Sequence, residues 1–92
     1  MGGMKVTSAG FAGLTRSLMD IARDCCNGRL VLCLEGGYEL KSLVESVRAV
    51  LYELMGKTVA SVAEIAAGAH RRKIDFALAR SFHVHEKYWR CL

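Results

Sequence analysis

The sequence predicts an α/β fold that is mostly helical, with one buried strand of the parallel type at about residues 29–34. Two long stretches repeat their apolar residues every three or four positions, which is typical of helices. Between them lies the run Arg29-Leu30-Val31-Leu32-Cys33-Leu34, which is short enough for a strand and shows no alternation. Strands of that kind are buried on both faces beneath helices, and a succession of helix, strand, loop and helix is the unit of an α/β fold.

The first helix is expected to begin after Thr7 or Ser8, since either side chain can accept a hydrogen bond from a free backbone N–H. Asn27-Gly28 is expected to end it, because both residues tolerate the left-handed conformation. Its apolar residues recur at spacings of three and four, which predicts one inward face: Phe11, Leu14, Leu18 and Ile21.

The second helix is predicted from about Glu39 to Met55, with Gly56 as its stop. Its predicted inner face consists of Leu40, Leu43, Val44, Val47, Leu51 and Leu54. Further along, Ser61 and Glu64 have the spacing of a capping box. A final amphipathic helix is predicted from Ile74, Leu78, Phe82, His85 and Trp89.

Composition suggests that this chain is part of something larger. With glycine counted and tyrosine left out, about 59% of its residues are apolar, against a usual 45–50% or so. A lone parallel strand also leaves its backbone groups unpaired. We therefore expect the C-terminal part of a larger α/β domain, whose other strands precede Met1. No apolar run approaches the roughly 20 residues of a membrane span, and no signal peptide is evident.

The net charge of +4 arises from residues 70–92, which contain six basic and two acidic residues. Such a tail can contact nucleic acid or an acidic partner, but a solvated helix face is the favoured interpretation. The four cysteines form no CxxC pair, and free thiols are typical of a reducing compartment. We therefore expect a cytoplasmic protein with no membrane partner, and nucleic-acid contact through the basic tail is the weakest of the alternatives.

The stretch Leu34-Glu35-Gly36-Gly37-Tyr38 is the best candidate for chemistry. Open α/β sheets bind ligands beyond the carboxyl ends of their strands. Glycines there let the backbone approach a substrate, and a tyrosine hydroxyl can stabilise a developing oxyanion. The residues alone leave a second interpretation open, in which a turn is followed by a packed aromatic ring.

The residues from Met4-Lys5-Val6-Thr7 through Gly28-Arg29-Leu30-Val31-Leu32, the LEGGY motif at 34–38, and Leu43, Glu45 and Ser46 together resemble the C-terminal part of a zinc-dependent histone deacetylase. The resemblance is to class II and to the bacterial histone deacetylase-like amidohydrolase (acetoin utilisation) branch. The ending Tyr88-Trp89-Arg90-Cys91-Leu92 resembles the close of bacterial members. The likeness is good over residues 2–56 and weaker over 57–87.

This resemblance implies the arginase-deacetylase type of three-layer fold and the hydrolysis of N-acetyl amides such as acetyl-lysine or small acetylated amines. It implies that Tyr38 donates a hydrogen bond to the acetyl carbonyl and the oxyanion, while Gly36 and Gly37 shape the wall of the substrate pocket. It gives Glu35 no proton-transfer role, and we expect that residue to hold the loop through hydrogen bonds.

The family's zinc ligands have no counterpart here, so we expect the zinc in the full-length protein only and an inactive chain on its own. The pair His83 and His85 is not expected to bind a metal. We divide the chain into a deacetylase-core segment (1–56) and a helical basic tail (57–92). Its expected partner is the remainder of the domain or a further copy of itself, and the alternative is a non-catalytic oligomerising or regulatory module.

Overall fold

The computed structural model describes residues 5–89, which form four α-helices joined by loops. The helices are α1 (Ser8–Cys26), α2 (Leu40–Leu54), α3 (Val62–Ala67) and α4 (Arg71–His85). Met4, which contributes to the family resemblance, lies outside the described residues. The last three residues of the predicted tail, which include Cys91, also lie outside them.

Local side-chain chemistry fixes both ends of α1, as predicted. The Thr7 hydroxyl oxygen accepts a hydrogen bond from the Gly10 backbone N–H at 3.0 Å. At the other end Asn27 has φ 55° and Gly28 has φ 74°, and both of their N–H groups donate to the carbonyl oxygen of Ala22. These left-handed residues satisfy carbonyls that the last turn would otherwise leave free.

The predicted limits of α2 and α3 are also confirmed. The Glu39 carboxylate caps α2 by accepting hydrogen bonds from the backbone N–H groups of Lys41 and Ser42. Ser61 and Glu64 form the predicted capping box, in which the Glu64 N–H donates to the Ser61 hydroxyl at 3.2 Å and the Ser61 N–H donates to the Glu64 carboxylate at 2.7 Å. Each cap satisfies N–H groups that a helix cannot satisfy within itself.

The predicted strand does not form. The predictions of an α/β fold and of a three-layer architecture are therefore wrong as well. Residues 29–37 form no ladder, and residues 5–89 contain helices and loops without any strand. Val31 is 85% exposed and Leu34 is 70% exposed, so this stretch is not buried either. The reason is that a strand depends on hydrogen bonds to a neighbouring strand, and none of the described residues supplies one.

Small side chains, rather than the predicted apolar faces, form the contact between α1 and α2. Among residues 5–89 the buried ones are Ala12, Thr15 and Ala22 on α1 and Ala49 and Glu53 on α2. The Thr15 hydroxyl is satisfied because it donates to the Phe11 carbonyl oxygen at 2.9 Å. We call this contact the small-residue seam.

The predicted inner faces lie to the side of this seam. At 100° per residue, the α1 stripe is rotated by about 100° from the seam, and the α2 stripe by roughly 150°. Leu14 and Ile21 are therefore 57% and 58% exposed, and Leu51 is 51% exposed. The larger apolar side chains of both helices face outward.

The last two helices differ in how they attach. Helix α3 packs on α1, where the Ile65 side chain lies so close to Gly13 that a Cβ there would be 2.9 Å from Ile65 Cδ1. Helix α4 packs against no other helix of the described chain. No helix within residues 5–89 has the length and apolar character needed to cross a bilayer. The division at residue 56 stays a prediction.

Candidate functional site

The glycine-rich loop Glu35–Tyr38 leads directly into α2 and presents its tyrosine to solvent. Tyr38 is 89% exposed and stands next to Glu39, the residue that caps the helix. The sequence left a second interpretation open, in which a turn is followed by a packed aromatic ring. The exposure of Tyr38 shows that its ring does not pack against the described residues. A phenol in this position is free to meet a ligand from outside the described residues.

The two glycines of the loop, Gly36 and Gly37, have different structural roles. Gly37 has φ 132°, a conformation closed to residues with a side chain, and a Cβ on it would lie 2.6 Å from Leu43 Cδ2 and 2.8 Å from Leu43 Cδ1. A Cβ on Gly36 would meet nothing closer than Tyr38 Cε2 at 3.9 Å. The loop therefore packs onto the first turn of α2 through Gly37. The backbone at Gly36 is not packed against other residues in this way.

Glu39 lies at the junction of the loop and α2 and caps the helix. Its carboxylate accepts hydrogen bonds from the backbone N–H of Ser42 at 2.7 Å and of Lys41 at 3.3 Å. Hydrogen bonding from Ser42 lowers the pKa of Glu39 below its usual value, with smaller help from the N–H of Lys41. The loop-holding role expected for Glu35 stays a prediction.

An ion pair between Arg16 of α1 and the buried Glu53, near the C-terminal end of α2, joins the two helices, and no sequence pattern indicated it. Arg16 Nε donates to Glu53 Oε2 at 3.1 Å, and Arg16 Nη2 contacts Glu53 Oε1. The same Nη2 donates to the carbonyl oxygen of Ala60 at 2.9 Å, and the Val59 N–H donates to Glu53 Oε1 at 3.0 Å. The pair therefore fastens the segment before α3 to α1 and α2.

The electrostatics of this pair follow from its geometry. The hydrogen bond from Arg16 lowers the pKa of Glu53, while desolvation opposes it and the Val59 N–H reinforces it. The same hydrogen bond raises the pKa of Arg16 above its usual value. Both groups stay charged at neutral pH, so Glu53 can be buried with every oxygen satisfied.

Within residues 5–89 no three His, Cys, Asp or Glu side chains come together in a way that could hold a metal ion. The His83 ring instead lies 3.3 Å from Glu86 Oε1 at the exposed end of α4. The described residues therefore do not fit the zinc site that the resemblance implies for the whole protein. No metal-dependent step can be derived from them.

An apolar groove runs along the outer face of α2, beside the loop. This open groove has a volume of about 490 Å³ and is lined by Leu34, Leu43, Val44, Val47, Arg48, Leu51, Tyr52 and Met55. Leu43 also contacts Gly37. The surface that the sequence predicted to face a core is thus continuous with the candidate loop.

Comparisons with known proteins agree on one family. The profile of the "Histone deacetylase domain" matches residues 1–54, which include α1, the loop and α2. "Histone deacetylase 7" of Homo sapiens is 31% identical over 96 aligned positions, covering 100% of this chain and 9% of the relative. "Histone deacetylase 4" of Caenorhabditis elegans is 32% identical, covering 100% of this chain and 10% of the relative.

A shorter relative gives the same result. A protein named "Probable deacetylase" from Archaeoglobus fulgidus is 32% identical over 106 positions, covering 96% of this chain and 28% of that protein. No solved structure shows a significant match. The chain spans about a tenth of the length of the first two curated relatives. Since the profile matches more than half of the chain, this protein belongs to the histone deacetylase family.

Proposed function

We propose that this chain forms part of the catalytic domain of a deacetylase and supplies one catalytic residue, Tyr38. The observation that carries the proposal is that the family match over residues 1–54 includes an exposed tyrosine on a glycine-rich loop. The reaction is the hydrolysis of an N-acetyl amide such as acetyl-lysine or a small acetylated amine. The LEGGY motif at 34–38 supports a place in class II or the bacterial amidohydrolase-like branch.

The chemistry proposed for Tyr38 is hydrogen-bond donation. When water attacks the acetyl carbonyl, negative charge develops on the oxygen, and the phenol O–H donates to that oxyanion. Collapse of the intermediate breaks the C–N bond and releases acetate and the amine. Gly36, which carries no side chain and meets little nearby, leaves space for the substrate, while Gly37 holds the loop on α2.

The other catalytic groups are proposed to come from the remainder of the deacetylase domain. Zinc, when bound there, would polarise the carbonyl and activate water. The outward apolar faces of α1 and α2 support this assignment, because they are the surfaces a surrounding domain would cover. We accordingly propose that the 92-residue chain releases no acetate by itself and that the whole protein acts in the cytoplasm.

The test is a tyrosine-to-phenylalanine exchange in a polypeptide that joins this chain to the rest of a deacetylase domain. Tyr38→Phe should lower kcat by about 10²–10³, the usual effect of losing one oxyanion donor. Tyr52→Phe removes the same hydroxyl from a half-exposed ring on α2 and should leave kcat unchanged. Equal rates for Tyr38→Phe and the unmodified protein would reject the catalytic role, and acetate release by the isolated chain would reject its dependence on the rest of the domain.

A second candidate, a non-catalytic self-associating module, is favoured by the same exposed faces. Phe11, Leu18 and Val44 are between 41% and 47% exposed, and two copies could cover these side chains mutually. Light scattering separates the candidates, since a defined dimer or higher oligomer of the 92-residue chain supports the second. A monomer at micromolar concentration counts against it.

A further inference from the structure

Helix α4 carries a face on which cations surround an exposed aromatic ring. At 100° per residue, Arg72, Lys73, Phe76 and Arg80 fall within about 100° of one another. All four are exposed, and Phe76 is 83% exposed. We call these four residues the basic face. The single acidic residue of the helix, Asp75, lies about 110° from the middle of that face.

The cations of the basic face form no ion pairs with other described residues. Arg16 and Arg23 pair with carboxylates, but no side-chain carboxylate lies within 4.0 Å of Arg72, Lys73 or Arg80 among residues 5–89. Helix α4 also packs on none of the other described helices. Its charge is therefore available to a partner, which periodicity in the sequence could not show.

We propose that the basic face of α4 binds the phosphate backbone of a nucleic-acid duplex. At about 1.5 Å per residue, Arg72 and Arg80 stand roughly 12 Å apart. That span is close to the approximately 12 Å width of the major groove, so the two ends of the face can reach phosphates on opposite sides. Phe76 lies between them, where an apolar ring can contact base edges in the groove, such as the methyl group of thymine.

An anionic membrane fits the helix less well. A helix lying on a membrane inserts an apolar face and keeps its cations beside it. Here Asp75 lies next to Phe82 on the apolar side, about 20° away around the helix. A carboxylate at that place would be repelled by anionic headgroups, whereas it stays away from a duplex bound to the basic face.

The experiment measures binding of the 92-residue chain to a fluorescent DNA duplex of about 20 base pairs at several salt concentrations. Each neutralised phosphate contributes about 0.9 to the slope of log K against log[salt], so three contacts give a slope near −2.7. The affinity should then fall about 40-fold between roughly 50 and 200 mM salt. The variant Arg72→Gln/Lys73→Gln/Arg80→Gln should lose that slope, since glutamine keeps a similar helix propensity.

The matched control removes three exposed cations outside α4, in the variant Arg29→Gln/Lys41→Gln/Arg48→Gln. It should keep the slope of the unmodified chain. If the α4 variant loses helical circular dichroism, Arg80→Gln alone should still reduce the slope by about 0.9. Absence of DNA binding at low salt, an equal loss in the control, or binding to phosphatidylserine vesicles without binding to DNA would each overturn the proposal.

Discussion

Ala12 offers a direct test of which face of α1 packs on α2. It is the most deeply buried residue of the small-residue seam, with 0% of its surface exposed. Leucine in its place adds three carbon atoms where two helix backbones meet. Overpacking of this kind costs about 1–3 kcal/mol. Because alanine and leucine have similar helix propensity, that cost reflects packing rather than helix formation.

The reciprocal change is Leu14→Ala on the outward stripe of α1. Leu14 is 57% exposed, so less than half of its side chain contributes burial energy. Full burial of a leucine gives about 1.5–3 kcal/mol, and the expected loss is therefore roughly 1 kcal/mol. A leucine in a true core would lose about 2.7–5 kcal/mol on the same change.

Thermal and urea unfolding of the 92-residue chain, followed by circular dichroism, measures both variants. For a domain of this size each kcal/mol moves Tm by about 4–8 °C. Leu14→Ala should therefore lower Tm by about 4–8 °C, and Ala12→Leu by at least as much and by up to about 24 °C. Ala63→Leu, at an exposed position of α3, is the matched control and should leave Tm within a few degrees. The packing described here would be refuted if Leu14→Ala were the more damaging change.

Two further changes test the loop and the ion pair that joins α1 and α2. Gly37→Ala should destabilise the chain by about 1–3 kcal/mol, because its φ is 132° and a Cβ would meet Leu43. Gly36→Ala should cost under about 0.5 kcal/mol, and equal Tm values for the two variants would contradict the loop geometry. The lowered pKa of Glu53 means that its contribution is complete above the ordinary value of 4.5 and is lost as pH falls through the lower folded-state value. An acid titration of unfolding free energy should therefore show a smaller acid loss in Glu53→Gln, in which the helix-cap carboxylates of Glu39 and Glu64 still have lowered pKa values. An unchanged acid loss would rule out this role for the pair with Arg16.

The limits of α1 and α2 and the start of α3 could be predicted from the sequence because their causes lie within a few residues. The last helix ends at His85, before Trp89, which the prediction had included. Thr7 caps α1 from three residues away, and the Ser61–Glu64 box spans one turn. Asn27 and Gly28 end α1 because their own backbones accept positive φ. The LEGGY motif at 34–38 identified the candidate loop and the family by the same local means.

The features that were predicted wrongly, or not at all, depend on contacts between residues far apart in the chain. The run at 29–34 has the composition of a buried strand, but composition supplies no neighbour to pair with, and Val31 is exposed. Apolar periodicity identified the stripes of α1 and α2, whereas the tertiary structure joined the helices through Ala12 and Ala49, whose small side chains let the backbones approach. Arg16 and Glu53 meet across 37 positions, a contact that only the packed helices create. Sequence thus determined the helices and the loop, and tertiary structure determined which faces meet, because close packing selects for shape as well as for hydrophobicity.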